Sequence, residues 1–153
     1  MSAYLNTVAI ASSIAALPIA GVQIRDLDAI PEMVSARDCP VMYPKPDGFI
    51  SNLGIDRISY GSALESRKNA IYTLTYRYLH NPEGVDRAGS YRLFDAMMNN
   101  VDEIVSRIID NDDLSGTVDI TPAEISNLGL VLDPAGYAFH GCDIAFNVLV
   151  FSR

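Results

Sequence analysis

The sequence predicts an α+β domain, a mostly antiparallel sheet packed by one long helix (about residues 90–110) and by a shorter N-terminal helix. Three stretches carry that expectation. In NAIYTLTYRYLHNPEG (residues 69–84), Tyr72, Leu74, Tyr76 and Tyr78 fall on one face of a period-two pattern, and Thr73, Thr75 and Arg77 fall on the other. That is the alternation of a half-buried strand. In SYRLFDAMMNNVDEIVSRIID, Leu93, Phe94, Met97, Val101, Ile104, Val105, Ile108 and Ile109 recur at three- and four-residue spacing. They form one apolar stripe on a helix of about five turns, with Ser90 as its N-cap. In YAFHGCDIAFNVLVF, Ile144, Phe146, Val148 and Val150 alternate with Ala145, Asn147 and Leu149, so the strand is nearly apolar on both faces and suits a central position.

The remaining elements follow in order. LNTVAIASSIAALPIAG reads as an amphipathic helix in which Ile10, Ile14 and Leu17 share a face, with Leu5 and Val8 close by, until Pro18 stops it. VQIRDLDAIPE looks like a strand running into a turn. CPVMYPKPDGFISNLG holds three prolines and two glycines, which confine any strand there to an edge or a short piece. IDRISYGSALESRKN predicts a short strand followed by an exposed hairpin or loop, and residues 80–84 read as a turn. GTVDIT and NLGLVLD predict two short strands, the second leading through Asp133-Pro134-Ala135-Gly136, a turn sequence, into the last strand. Tyr72, Leu74 and Tyr76 are expected to pack beneath the helix at 90–110, as core and not as a ligand platform.

The chain of 153 residues reads as a single domain, 1–153. Its hydrophobic share of 49% and charged share of 20% are those of a folded domain. A net charge of −8 argues against tight binding to nucleic acid or to an anionic membrane, both of which need clustered Lys and Arg. An acidic chain can still sit beside DNA that must pass without sticking. Two cysteines, Cys39 and Cys142, with no CxxC pair, read as free buried thiols in a reducing compartment. With no Lys or Arg before Arg25, the N-terminal run lacks the basic region of a signal peptide and is too interrupted to span a bilayer, so the expected location is the cytoplasm.

Motifs for chemistry are few. His140, Cys142 and Asp143 lie within four residues, but in a strand His140 and Cys142 share a face while Asp143 points away. DNDDLSG (residues 110–116) starts like a calcium loop and departs from it, with Leu114 at a ligand position and Thr121 where the closing Glu belongs. The sequence contains no phosphate-cradling glycine loop, GxSxG elbow or HExxH. The expectation is a non-enzyme without cofactor or metal.

The charges around the long helix run against its dipole. Arg87 and Arg92 sit at the N-terminal end, and Asp110, Asp112 and Asp113 at the C-terminal end. One reading leaves the arginines in water and lets the aspartates cap the next turn. Another places these charges for a neighbouring subunit, the basic end of one helix facing the acidic end of the next, in a head-to-tail contact that closes into a ring.

Taken together, an amphipathic N-terminal helix, VQIRDLDAIPE, CPVMYP, a YTLTYRY strand before a long helix, and a final HGCDIAFNVLVF strand form a layout. It resembles the tail terminator (tail completion) proteins of long-tailed bacteriophages, over most of the chain outside residues 54–68. The resemblance implies a structural virion protein that assembles as a hexameric ring on the last ring of the tail tube, stops polymerisation and offers the head-docking surface. The implied partners are further copies of the chain, the major tail tube protein and a head–tail connector protein. The genomic DNA would pass through the lumen without specific binding, and no membrane is involved. Assembly in the host cytoplasm and residence at the head–tail junction follow from it. Thr73, Thr75 and Arg77 would then be candidates for subunit or lumen contact. Competing readings are another neck component of the same particle, and a small α+β ligand-binding domain or enzyme with the tyrosine face and His80 as its pocket. A third is the terminator of a phage-derived contractile device.

Overall fold

A computed structural model describes residues 7–19, 21–59, 66–83, 90–110 and 118–151, with side chains throughout except at 55–59, 66–69, 90–93 and 151. Helix α1 (Thr7–Ala15) leads into β1 (Gln23–Ile24), two single 3-10 turns (Leu27–Ala29 and Ala36–Asp38), β2 (Val41–Pro44) and β3 (Ile50–Ser59). Strand β4 (Ser66–Pro82), helix α2 (Ser90–Asp110), β5 (Val118–Leu132) and β6 (Ala138–Phe151) follow.

The α+β class holds, and the organising element is β4. Strand β6 lines one of its edges from Asn69 to Pro82. The other edge is shared end to end, β3 taking Ser66 to Leu74 and β2 taking Tyr76 to Leu79. Strand β1 then extends the sheet beyond β2, and β5 closes the opposite side against β6.

Three expectations need correction. The sheet is mixed, because β1 and β2 pair in parallel. Between them the chain crosses over through the two 3-10 turns, one started by the Asp26 carboxylate on Leu27 N–H and one by the Ser35/Asp38 capping box, and re-enters in the same direction. Second, α2, expected as a long helix over about 90–110, lies at those residues but is not long against the strand it covers. Its 21 residues span about 31 Å, little more than half of the roughly 56 Å of the 17-residue β4. Third, the polar stretch after Gly54 continues a ten-residue strand, and the two short strands expected after residue 116 are one strand of 15 residues. Bulges between Pro122 and Glu124 and between Ser126 and Gly129 absorb its irregular stretches, which is why its sequence reads as broken.

The period-two alternation holds along the two central strands. Tyr72, Leu74, Tyr76 and Tyr78 of β4 and Ile144, Phe146, Val148 and Val150 of β6 are all buried, in one core with Met97, Val101, Ile104 and Ile108 of α2 and Ile10 and Ile14 of α1. The tyrosine face is therefore core, as its alternation predicts. Val8, grouped with the apolar face of α1 in the sequence, is exposed. Phe49 and Phe146 meet the Tyr76 ring edge to face at 5.4 and 6.2 Å, the arrangement the ring quadrupole favours. The Tyr78 hydroxyl accepts from Asn100 of α2 at 2.9 Å and lies 2.8 Å from His80 Nδ1, so the helix is hydrogen-bonded to the strand it covers. The Tyr72 and Tyr76 hydroxyls meet no hydrogen-bond partner among the described residues, and burial pushes the Tyr72 phenol up to about 12.

A smaller apolar cluster of Val34, Val41, Tyr43, Leu79, Val131 and Phe139 lies on the other face, at the end where β4 finishes and β6 begins. The buried Asp133 carboxylate fastens it, accepting Val34 N–H at 3.0 Å and Tyr137 N–H at 2.8 Å. Gly141 passes so close to β4 that a Cβ there would run into the Tyr78 carbonyl.

Two substitutions test this packing. Gly141→Ala should lower stability by about 2 kcal/mol or more, since backbone and not a flexible side chain must yield; an unchanged urea midpoint would contradict the close approach. Tyr76→Phe removes a buried hydroxyl with no partner, so it should leave that midpoint unchanged or raise it. A clear loss would show that the hydroxyl is hydrogen-bonded.

Candidate functional site

Because one face of the sheet is taken by the helices, the opposite face carries the polar residues of β4 and β6. Register places them in rows. Tyr43, Arg77, Asp143 and Ser126 lie side by side, then Thr75, Ala145 and Glu124, then Thr73, Asn147 and Thr121.

Asp143 is the centre of this face. It is 1% exposed, yet every facing element answers its charge. Arg77 grips it bidentately, Nε to Oδ1 at 2.8 Å and NH2 to Oδ2 at 3.0 Å. The Asn127 amide donates to Oδ2 at 2.7 Å, and the Lys45 ammonium stands 3.6 Å away. Asn127 reaches it because it sits at φ 54 within the second bulge of β5. Arg77 also donates through NH1 to the Leu132 carbonyl at 3.0 Å, so one guanidinium joins β4, β5 and β6. Burial alone would raise the Asp143 pKa, but the hydrogen bonds from Arg77 and Asn127 and the charges of Arg77 and Lys45 outweigh it and hold the carboxyl below its ordinary value. The hydrogen bond to Asp143 raises the Arg77 pKa in turn.

Beside this cluster a groove of about 390 Å³ runs over the sheet, lined among others by Lys45, Asn52, Thr73, Thr75, Glu124 and Asn147. Hydroxyls and amides dominate it, and Thr73 donates across to Asn147 at 3.0 Å. The arrangement supplies neutral hydrogen-bonding groups, one lysine and the exposed Glu124 carboxylate, with the paired Asp143 beside them. A shared Lys45 links it to a second hollow of about 420 Å³ by Tyr43, Asp47 and Arg77.

The edges are the other exposed feature. Strand β5 pairs only with β6 among the described residues, leaving its outer backbone groups unpaired. Ile125, Leu128, Leu130 and Leu132 on it are all exposed, Leu130 and Leu132 at 54% and 52%. At the far side of the sheet, Ile50 and Leu53 of β3 are exposed as well.

The structure brings together Thr73, Thr75 and Arg77, as the alternation predicts, and shows that the Arg77 charge is answered within the chain. Asp110 is exposed at the last residue of α2, and Arg92 lies in its first turn, with its side chain outside the described residues. Arg87, Asp112 and Asp113 lie outside them altogether, as does the rest of the DNDDLSG stretch. The last turn of α2 also contains Arg107, a base where the dipole favours one, paired with Glu103 at 3.3 Å. Sequence reasoning missed Lys45, Asn127 and above all Asp143 as the partner of Arg77. Asp143 shares the parity of Ala145 and Asn147, and a lone acid in an apolar central strand is the signal that was there to use. His140 and Cys142 lie on the face opposite Asp143, as expected, with Cys142 in the main core.

No family model matches the chain, and no curated protein matches it. Among the described residues no group of three or more His, Cys, Asp and Glu is arranged to hold a metal, and no helix is long and apolar enough to cross a membrane.

Asp143→Asn keeps the shape and removes the charge, leaving Arg77 half-buried without a counter-ion. It should cost about 3 kcal/mol at neutral pH, while replacing both partners with apolar residues should cost much less. Because the folded pKa of Asp143 is depressed, its contribution is complete above the unfolded value and is lost as pH falls through the folded one. The stability gap between wild type and Asp143→Asn should therefore be flat above about pH 5 and shrink below about pH 4. A gap independent of pH, measured by urea unfolding, would contradict the ion pair.

Proposed function

We propose that this chain is a structural subunit of a phage tail, a terminator that caps the tail tube as a hexameric ring, ends its polymerisation and forms the surface on which the head docks. The observation that carries the reading is the contrast within one sheet. The helix-covered face is filled over β4 and β6, while a 15-residue edge strand displays backbone unpaired among the described residues and large exposed apolar side chains, Ile125 and Leu130 among them on that same face. A monomer that works alone gains nothing from such an edge, whereas an assembling subunit uses it. The layout shared with tail terminators supports the same reading. In it the chain meets the major tail tube protein on one side of the ring and a head–tail connector protein on the other.

The role is structural and not catalytic, with no cofactor, and the location is the virion at the head–tail junction. DNA passes through the lumen. The overall charge of −8 supports passage without specific binding, since an acidic wall repels phosphate. The Thr73–Thr75 groove face is the polar surface such a ring has to offer a neighbour or the lumen. Another neck component of the same particle would share the size, acidity and ring assembly, and partner choice separates the two.

Electron microscopy of isolated tail tubes mixed with the protein is the direct test. A sixfold density at one tube end, with an end to further tube growth, is the expected result. Binding to the portal complex with bare tube ends would replace the terminator by a connector.

A further inference from the structure

The irregularities of the outer strands gather around one place. The register slips between Ser51 and Gly54 of β3, and on β5 between Pro122 and Glu124 and between Ser126 and Gly129. All three slips border the groove of about 390 Å³ beside Asp143. Among the described residues two non-glycine residues have positive φ, Asn52 at 56 and Asn127 at 54, and both line this groove, one from β3 and one from β5. Such a conformation costs an L residue, least for Asn, and it persists where the backbone serves a site. Asn127 has a reason within the chain, its hydrogen bond to Asp143. Asn52 is exposed, and among the described residues no hydrogen bond of its amide accounts for the conformation.

The groups around the groove are uncommitted in a particular way. Thr73 gives its hydroxyl hydrogen to Asn147 Oδ1, which leaves both Nδ2 hydrogens of Asn147 to donate elsewhere. The hydroxyls of Thr75 and Ser126 and the Glu124 carboxylate make no side-chain hydrogen bond among the described residues. The formal charges cancel, Arg77 and Lys45 against Asp143 and Glu124, so a polyanion gains little there. No aromatic ring lines the groove, so it offers a nucleobase nothing to stack on. Ala145 and the Thr73 and Thr75 methyls supply a small apolar share of the floor. A ligand that fits this inventory is neutral, donates and accepts at adjacent atoms, and carries a C–H face. A sugar ring has those properties.

We propose that the groove between the β3 and β5 bulges is a binding site for a neutral saccharide, whose hydroxyls are shared among Asn52, Thr75, Glu124 and Asn147. The inference goes beyond the terminator reading and does not need it, because a single chain holds the whole groove.

A chemical-shift titration of the isotope-labelled protein is the test, with glucose, galactose, mannose and N-acetylglucosamine as probes and inorganic phosphate and glucuronate as charged controls. At least one neutral sugar should shift the amides of Asn52, Thr75 and Asn147 with a Kd of about 1–10 mM, as suits a groove open to solvent. Asn52→Gly keeps the left-handed backbone and removes the amide, and Thr75→Val keeps the shape and removes the hydroxyl. Together they should weaken that binding at least about tenfold while the circular dichroism stays that of the wild type. Lactose and cellobiose separate the two sources of such a ligand. A free sugar binds as well as its disaccharide, whereas a unit of a longer glycan binds more weakly than the disaccharide does. The proposal is overturned if none of these sugars shifts the groove amides, or if the shifts survive both substitutions unchanged. It is also overturned if phosphate or glucuronate alone produces them, which would make the groove an anion site at Lys45.

Discussion

The ladder between β4 and β6 is the constraint on which the rest of this molecule depends. It runs nearly the whole of both strands, and its strict alternation divides the sheet into a face that water cannot be left to cover and a face that it can. The helices are placed by the first face. Tyr72, Leu74, Tyr76 and Tyr78 with the β6 residues opposite them make an apolar floor, and α1 and α2 supply Ile10, Ile14, Met97, Val101, Ile104 and Ile108 to cover it. Where the ladder bends, at the bulge between Leu79 and Asn81, Gly141 lets the strands close up, and the smaller cluster forms on the other face.

The same alternation puts one carboxylate, Asp143, at the centre of the second face. A charge buried there is tolerated because Arg77, Asn127 and Lys45 arrive from β4, β5 and the turn after β2. The cluster fixes the relation of four separate segments. The bulge at Asn127 belongs to it, since Asn127 donates to Oδ2 from φ 54 within that bulge. Thr73, Thr75 and the groove beside them are thus presented on a rigid floor.

How much of this was legible in the sequence depended on periodicity. The tyrosine row and the stripe on α2 each keep one period over many residues; the tyrosine face was read correctly, and the stripe holds at Met97, Val101, Ile104 and Ile108, while Phe94 and Ile109, placed on it in the sequence, are exposed. Strand β5 was split in two because Pro122 and the residues around Asn127 break the period at its bulges. The polar stretch into β3 was undervalued because an edge strand exposed to solvent need not alternate. The direction of β1 against β2 depends on a crossover through 3-10 turns that carry little pattern. Arg77 was found on the right face, but its partner lies 66 residues away, and only register joins them. Asp112 and Asp113 lie outside the described residues, and at the near end of that helix Arg107 partly offsets the reversed charges.

The sheet is filled over the centre of its helix face and pairs on one side only at β5 and β3 among the described residues, the edges that the proposed assembly would use. Amide hydrogen exchange along those two strands, followed as protein concentration rises, tests this most directly. The outer amides of β5 and β3 should gain protection together on assembly, while those of β4 and β6, already paired, stay as they were. Assembly that leaves β5 and β3 exchanging as fast as in the dilute protein, or that protects the α2 surface in their place, would contradict it.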